Sequence, residues 1–462
     1  MKRFFAVGVL LALSIIGLGC GASNSSQLVQ DQSGNVFLTG EDAPLAAVVG
    51  FNVTLNSVTL NAQDGSAATV ISSPVTVDFA RLLGLRSPLA FNSVAANTYT
   101  SATFVLANPV ISYVDVTQNP PALNQLNGTF PNNQNPYTVT VNFPTAMVVG
   151  ANGLAGLKME MDIRQSVAID ANGQITGAVN PVIYVRATKA TDRDGQITDL
   201  MGGLVSVNAG NNSFVLQGPY GHQLTVHVNG STSFNSGWNI NDLATPAFVA
   251  VQGYFQADGS LMATGVEVVT TAHSFVSGRV LAETTNGSGQ LQTVTMWIGE
   301  TGADMVSYAD TIQTINVSAV NTYDICFLSG PVLNAVFNDT SVVVGQRIFI
   351  GGSFASSVFT PQMISLRLQG VYGMFVPGTV TVSNGNAGTF QLSNNGLVGY
   401  SAAGPVTVNT YNFTGFFNLS GLGQLQTTSS AIPVVARGLL LKDQVSGNPE
   451  MYAGWVATTP SN

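Results

Sequence analysis

Phe51-Asn52-Val53-Thr54-Leu55-Asn56-Ser57-Val58-Thr59-Leu60 alternates apolar and polar side chains over ten residues. Successive side chains of a strand point to opposite faces, so a period of two marks a strand with one buried side. The same pattern recurs at Val36 to Thr39, Val75 to Phe79 and Tyr99 to Leu106. It is most regular at Leu157-Lys158-Met159-Glu160-Met161-Asp162-Ile163-Arg164. There Leu157, Met159, Met161 and Ile163 are expected on one face, and Lys158, Glu160, Asp162 and Arg164 on the other. Asp64-Gly65 predicts a turn, Ala80 to Leu83 a single helical turn, and the Pro- and Asn-rich stretch 118–136 an exposed loop. Val182 to Val185 closes this region, and Ala187 to Gly195 reads as a charged linker.

Composition agrees with strands. Only 8% of the 462 residues are charged, against roughly 25% in an ordinary soluble protein. Gly (49 residues), Ser, Thr, Asn and Gln take their place. Uncharged polar groups can cover the open face of a sheet, and Val and Thr suit a pleated surface. A hydrophobic content of 45% argues against disorder. The net charge of -9 argues against nucleic acid, which requires a basic face.

Beyond Gly202 a repeat begins. The first copy opens Gly203-Leu204-Val205 and ends Val249-Ala250-Val251-Gln252-Gly253. The second opens Gly278-Arg279-Val280 and has Ile348-Phe349-Ile350-Gly351-Gly352. The third is read as opening Gly378-Thr379-Val380 and has Val434-Val435-Ala436-Arg437-Gly438. Units of this length can each hold a small core, so tandem domains are expected rather than a solenoid. Their order of strands resembles small barrels of the oligonucleotide/oligosaccharide-binding kind.

The chain starts MKRFFAVGVLLALSIIGLGCGAS. A basic start, an apolar run from Phe4 to Leu18 and small residues around Cys20 have the layout of a bacterial export signal. The run is short of the ~20 residues that span a bilayer. A Cys behind a small residue resembles a lipoprotein signal, in which Cys20 is acylated and becomes the mature N-terminus. That leaves Cys326 as the one thiol of the folded body, expected to be buried among apolar neighbours.

FLTGEDAPLAAVVGFNVTLNSVTLNAQDG, then VTVDFARLLG, then VAANTYTSATFVL, resembles an uncharacterised bacterial secreted family, domain of unknown function forty-three eighty-two. The likeness covers about residues 35 to 190. It implies a lipid-anchored, β-rich module and brings no known activity. Barrel-like units under another unknown-function label commonly accompany that family.

Several residues could carry chemistry. Glu160 and Asp162 lie ~7 Å apart along one strand, near the separation used by two-carboxylate glycosidases. Lys158 and Arg164 flank them, which reads instead as a solvated ladder of opposite charges. Asp192-Arg193-Asp194-Gly195-Gln196-Ile197-Thr198-Asp199 resembles the middle of a calcium loop, but Ala190 and Met201 stand where end ligands belong. His222, His227 and His273 have no accompanying cluster of ligands. Trp238, Trp297 and Trp455 fall one per repeat, at unlike positions, and read as packing residues.

The expected protein is all-β: a β-sandwich-like domain (35–190) and three OB-like barrels (200–272, 273–370 and 371–458). A signal peptide (1–20) and a flexible tether (21–34) precede them. Its expected role is non-catalytic, at the cell envelope and leaning to the outer membrane. It would be anchored through Cys20, bind glycan or an envelope protein, and need no cofactor. The alternatives are a carbohydrate hydrolase using Glu160 and Asp162, and a calcium-dependent adhesin using Asp192, Asp194 and Asp199.

Overall fold

A computed structural model describes residues 33–458 except 44–46, 83–84, 116–117, 119, 172–173, 219–221, 236, 272–273, 330–334 and 395–404. Cys20, the signal segment, most of the tether and His273 lie outside the described residues. Strands dominate, and the longest described helix is the six-residue Leu422–Thr427. No described helix is long and apolar enough to cross a membrane.

The first unit is a sandwich of two sheets. In one, Ile183–Thr188, Leu154–Asp162, Ser33–Ala43 and Ser87–Ala95 lie side by side in that order. Ser33–Ala43 runs parallel to Leu154–Asp162, and it begins two residues inside the expected tether. The other sheet is built on Val48–Ala62 and Asn97–Asp115, with Ala67–Ile71, Val75–Asp78, Ala122–Asn127 and Tyr137–Val149 along their edges. Side chains from both sheets, among them Leu38, Met159, Phe51 and Phe104, form one core.

The alternating stretch buries Phe51, Val53 and Leu55, then Val58 and Leu60. The phase slips by one residue because two polar residues, Asn56 and Ser57, stand together. The structure places a register shift there, between Leu55 and Ser57 opposite Leu106 and Val105. A bulge absorbs the extra residue and returns the apolar set to the core side.

The expected loop 118–136 instead contains the strand Ala122–Asn127, which extends the second sheet beyond Asn97–Asp115. Phe130 is buried there and stacks on Tyr137, with ring centroids 5.5 Å apart. An apolar ring in a polar stretch anchored what composition alone marked as loose.

The three barrels share one topology. In the first, Ile197–Asn208 pairs with Ser213–Gln217 and Phe248–Phe255. Ser213–Gln217 pairs with Gln223–His227, and Phe248–Phe255 pairs with Leu261–Thr270. A short parallel pairing of Gln223–His227 with Leu261–Thr270 closes the ring. Taken in chain order, the strands neighbour one another as 1-2-3-5-4-1, the Greek-key barrel order expected of an OB-like unit.

The second barrel repeats the order with Ser274–Thr285, Leu291–Thr301, Thr311–Asn316, Arg347–Ala355 and Val358–Leu366, and stays open between its third and fifth strands. The third uses Gln369–Phe375, Ala387–Asn394, Val406–Thr410, Pro433–Lys442 and Pro449–Thr458. Its first strand therefore precedes the expected opening at Gly378. Thr381–Asn384 is an added hairpin arm. The helix Leu422–Thr427 inserts Leu422 and Leu425 into this barrel's core.

The repeated late glycine has a physical cause. Gly253, Gly352 and Gly438 occupy the same place in each fourth strand, and each marks a register shift against the fifth. A Cβ there would fall on the carbonyl oxygen of Met262, Thr360 or Tyr452 respectively. Only a residue without a side chain lets the strand coil tightly enough to turn the sheet into a barrel.

The units are not beads on a string. Phe37, on the outer face of the first strand, stacks on Phe255 of the first barrel, centroids 5.1 Å apart. Phe248, Phe275 and Phe349 form a ring cluster joining the first and second barrels. The stretch 187–195 is no free linker: Ala190 and Gly195 are buried, and a Cβ at Gly195 would meet the carbonyl oxygen of Lys189.

Candidate functional site at the junction of the units

Thr198 and Asp199 open the first barrel, and all four units meet at them. Asp199 has φ 48° and sits in a register shift between Ile197 and Leu200. That bulge turns its carboxylate away from its own barrel. Arg347 Nη1 of the second barrel donates to Asp199 Oδ2 at 2.6 Å, and Arg367 Nη2 donates to Oδ1. Arg367 also donates through Nη1 to Glu267 Oε1 of the first barrel at 2.7 Å.

Arg86 of the sandwich forms an isolated bridge with Thr198, and Arg437 of the third barrel donates to Thr198 Oγ1 at 3.2 Å. Burial opposes the charge of Arg367, but Asp199 and Glu267 outweigh it and raise its pKa. Arg437 has less compensation: burial, with Arg86 adding repulsion, lowers it to about 9. Arg279, also buried and beside Arg347, is likewise lowered to about 9 by burial.

Other joints use the same chemistry. Arg81 pairs with Asp78 in the sandwich and Asp310 in the second barrel, both at 2.9 Å. Arg164 lies over the Tyr372 ring at 4.7 Å. Arg193 lies over Phe417 at 4.5 Å and Trp455 at 4.6 Å. Lys442 of the third barrel pairs with Glu283 of the second at 2.6 Å. In a chain so poor in charge, cations are concentrated where units meet.

The expected solvated ladder is corrected by this packing. The strand stops at Asp162, which caps the single turn Ile163–Ser166 by accepting from Gln165 N at 2.9 Å. Ile163 to Ser166 therefore leave the strand alternation, and Arg164 is carried toward Tyr372. The Asp162 carboxylate is buried and also accepts from Gln165 Nε2 at 2.6 Å. Lys158 and Glu160 face a cleft of 360 Å³ between the sandwich and the third barrel, with Trp455 and Phe417 opposite.

Asp162 does not line that cleft; Glu41 does. Glu41 and Glu160 are register partners on adjacent parallel strands. Lys158 Nζ lies 2.5 Å from Glu41 and 3.6 Å from Glu160. Burial pushes both carboxyls upward. For Glu41 the cations Lys158, Arg437 and Arg86 prevail and bring it down to about 2. For Glu160 burial, aided by Glu41 and Asp162, outweighs Lys158 and leaves it raised.

The calcium-loop residues are dispersed. Asp192 is exposed and its carboxylate accepts from Lys189 N at 3.2 Å. Asp194 lies 3.3 Å from Arg186 and 3.7 Å from Arg86, while Asp199 is held by Arg347 and Arg367. Among the described residues no three His, Cys, Asp or Glu side chains gather as a metal-holding group. His222 is exposed and His227 half-buried.

Trp297 is buried, and Trp238 packs on the first barrel's core. Cys326 is buried as expected, but its neighbours are not all apolar: its Sγ lies 3.4 Å from Glu267 Oε2. Burial pushes the thiol well above its ordinary pKa.

Sequence reasoning missed Glu41, Arg86, Arg347, Arg367 and Arg437. Their one signal was isolation: Leu366-Arg367-Leu368 and Arg347-Ile348-Phe349 set single cations in apolar runs, and a buried cation requires a partner.

Comparison with known proteins agrees with the organisation. Residues 33–176 match the family model described as Domain of unknown function (DUF4382). Residues 194–267, the first barrel, match Domain of unknown function (DUF5666). No curated protein matches. Among solved structures, Drosophila Unr CSD456 is similar at 8% identity over 57% of this chain and 98% of its own, with a TM-score of 0.14, too low to carry an argument.

Proposed function

We propose that the protein is a non-catalytic, lipid-anchored component of the bacterial cell envelope, joined to the outer membrane through Cys20. It holds four β units as one stiff body and binds a glycan or another envelope protein. The observation that carries the reading is the buried ion-paired junction at Asp199. Joints of this kind resist relative movement of the units, which suits a scaffold that presents fixed surfaces. Buried pairs contribute little net stability against apolar replacements, but they are strict about geometry.

Mass spectrometry of the mature N-terminus tests the anchor. The expected result is a diacylglyceryl-modified Cys20, with Cys20→Ala released from the membrane fraction. An unmodified N-terminus within the soluble fraction would overturn it.

One observation favours a second reading, a carbohydrate hydrolase. Glu41 and Glu160 share a cleft and are displaced in opposite directions, as the acid and nucleophile of a glycosidase are. Lys158 stands between them and clamps Glu41, which favours a structural pair. Hydrolysis of a glycan panel that Glu160→Gln abolishes would establish the second reading in place of the first.

A further inference from the structure

A second cleft, of 440 Å³, opens where the sandwich meets the first two barrels. This is within the ~300–1,000 Å³ typical of small-molecule sites, which favour domain interfaces. Each unit contributes to its lining: Arg86 and Ser87 from the sandwich, Phe248 from the first barrel, Phe275 and Glu300 from the second.

Three residues of this lining carry a buried polar atom with no hydrogen-bond partner among the described residues: Arg86 Nε, Ser87 Oγ and Glu300 Oε2. Arg86 is 5% and Ser87 6% exposed, so bulk water does not satisfy them. Leaving such groups unpaired costs ~1–3 kcal/mol each. They comprise a charged donor, a charged acceptor and a hydroxyl that can serve as either.

The lining's ionised groups balance in sign. Arg81, Arg86 and Arg347 face Asp199, Glu300 and Asp310. Such a cleft offers no net attraction to an anion or a cation. A neutral ligand with adjacent hydroxyls matches it, giving one hydroxyl to Glu300 and accepting from Arg86. The C–H face of such a ring matches the apolar wall of Phe248 and Phe275.

We propose that this three-unit cleft binds a neutral saccharide of one or two rings, held by Arg86, Ser87 and Glu300. This gives the proposed binding role a ligand class and rests on that reading only for its biological setting. Loss of the envelope location would leave the cleft's affinity intact, and loss of affinity would leave the anchor intact.

Saturation-transfer NMR and thermal melting of the purified full chain test it, with maltose, cellobiose and diacetylchitobiose as probes and inorganic phosphate as control. At least one disaccharide is expected to bind at ~1 mM or tighter and raise the melting temperature. Glu300→Gln, which keeps the side chain's shape, and Ser87→Ala are each expected to weaken it about tenfold or more. Their ligand-free melting temperatures report whether the fold is kept, and a variant that fails to fold leaves the other to decide. The proposal is overturned if no disaccharide binds at ~10 mM, if binding is unchanged in the folded variants, or if phosphate competes for the cleft.

Discussion

Asp199 at the start of the first barrel and Arg347 on the fourth strand of the second are 148 residues apart in sequence, yet their side chains meet at 2.6 Å, buried from solvent. Arg367 shares the same carboxylate. One acidic side chain thereby fixes two cations of the neighbouring unit.

Asp199→Ala removes that shared anion and leaves both arginines buried, with Glu267 still held by Arg367. A loss of ~3–5 kcal/mol is expected, with the single melting transition splitting as the barrels lose register. Adding Arg347→Met to the substitution should restore part of the loss, because Arg347 is the cation left without a carboxylate, whereas Arg367 keeps Glu267. Calorimetry of the single and double variants checks both statements, and an unchanged melting profile in Asp199→Ala would contradict them.

Gly253→Ala, Gly352→Ala and Gly438→Ala each force a methyl onto a partner carbonyl. Each should destabilise its barrel by ~1–3 kcal/mol or more, the usual range for overpacking. Gly203→Ala is the control, since nothing lies within 4 Å of a Cβ there. It should melt within ~0.5 kcal/mol of the parent, as surface substitutions ordinarily do.

Gln346 is fully buried between the second and third barrels. Its amide donates to Ser341 O and Leu440 O, both at 2.8 Å, and its oxygen accepts from Val343 N at 2.9 Å. Gln346→Met orphans these three backbone groups. Hydrogen exchange should show faster exchange at Val343, and denaturant unfolding a loss of ~2–4 kcal/mol.

Glu41 gives stability a dependence on acidity. Its folded pKa of about 2 lies below the ordinary 4.5, so the unfolded chain binds the proton more tightly. The contribution is complete above about pH 4.5 and vanishes as pH falls toward 2, on the order of 3 kcal/mol in all. Glu41→Gln should flatten the stability curve across that window. Urea titrations at stepped pH would show an unaltered slope if the carboxylate were not so held.

The strands were legible because each buries one face, but reading Phe51 to Leu60 as unbroken alternation passed over the bulge, whose trace is the two successive polar residues Asn56 and Ser57. Barrel topology was legible through Gly253, Gly352 and Gly438, which recur because strand curvature demands them. The joints were not. Whether Lys158 or Glu160 meets water depends on a surface contributed some 250 residues later, and alternation reports only that a side chain leaves its own core. Gly378 misled for a related reason: an exposed turn glycine with φ 80° resembles a strand glycine when only spacing is compared.

Drawing the basic residues into the joints has an outcome for proteolysis. Among the described residues Lys189 is the one Lys or Arg exposed as a whole residue, and the Arg186 side chain, 41% exposed, lies three residues before it. An enzyme of trypsin's specificity therefore meets its accessible basic side chains mainly within the short stretch 186–189, at the seam between sandwich and first barrel. The intact body should outlast such digestion or part there into two large fragments.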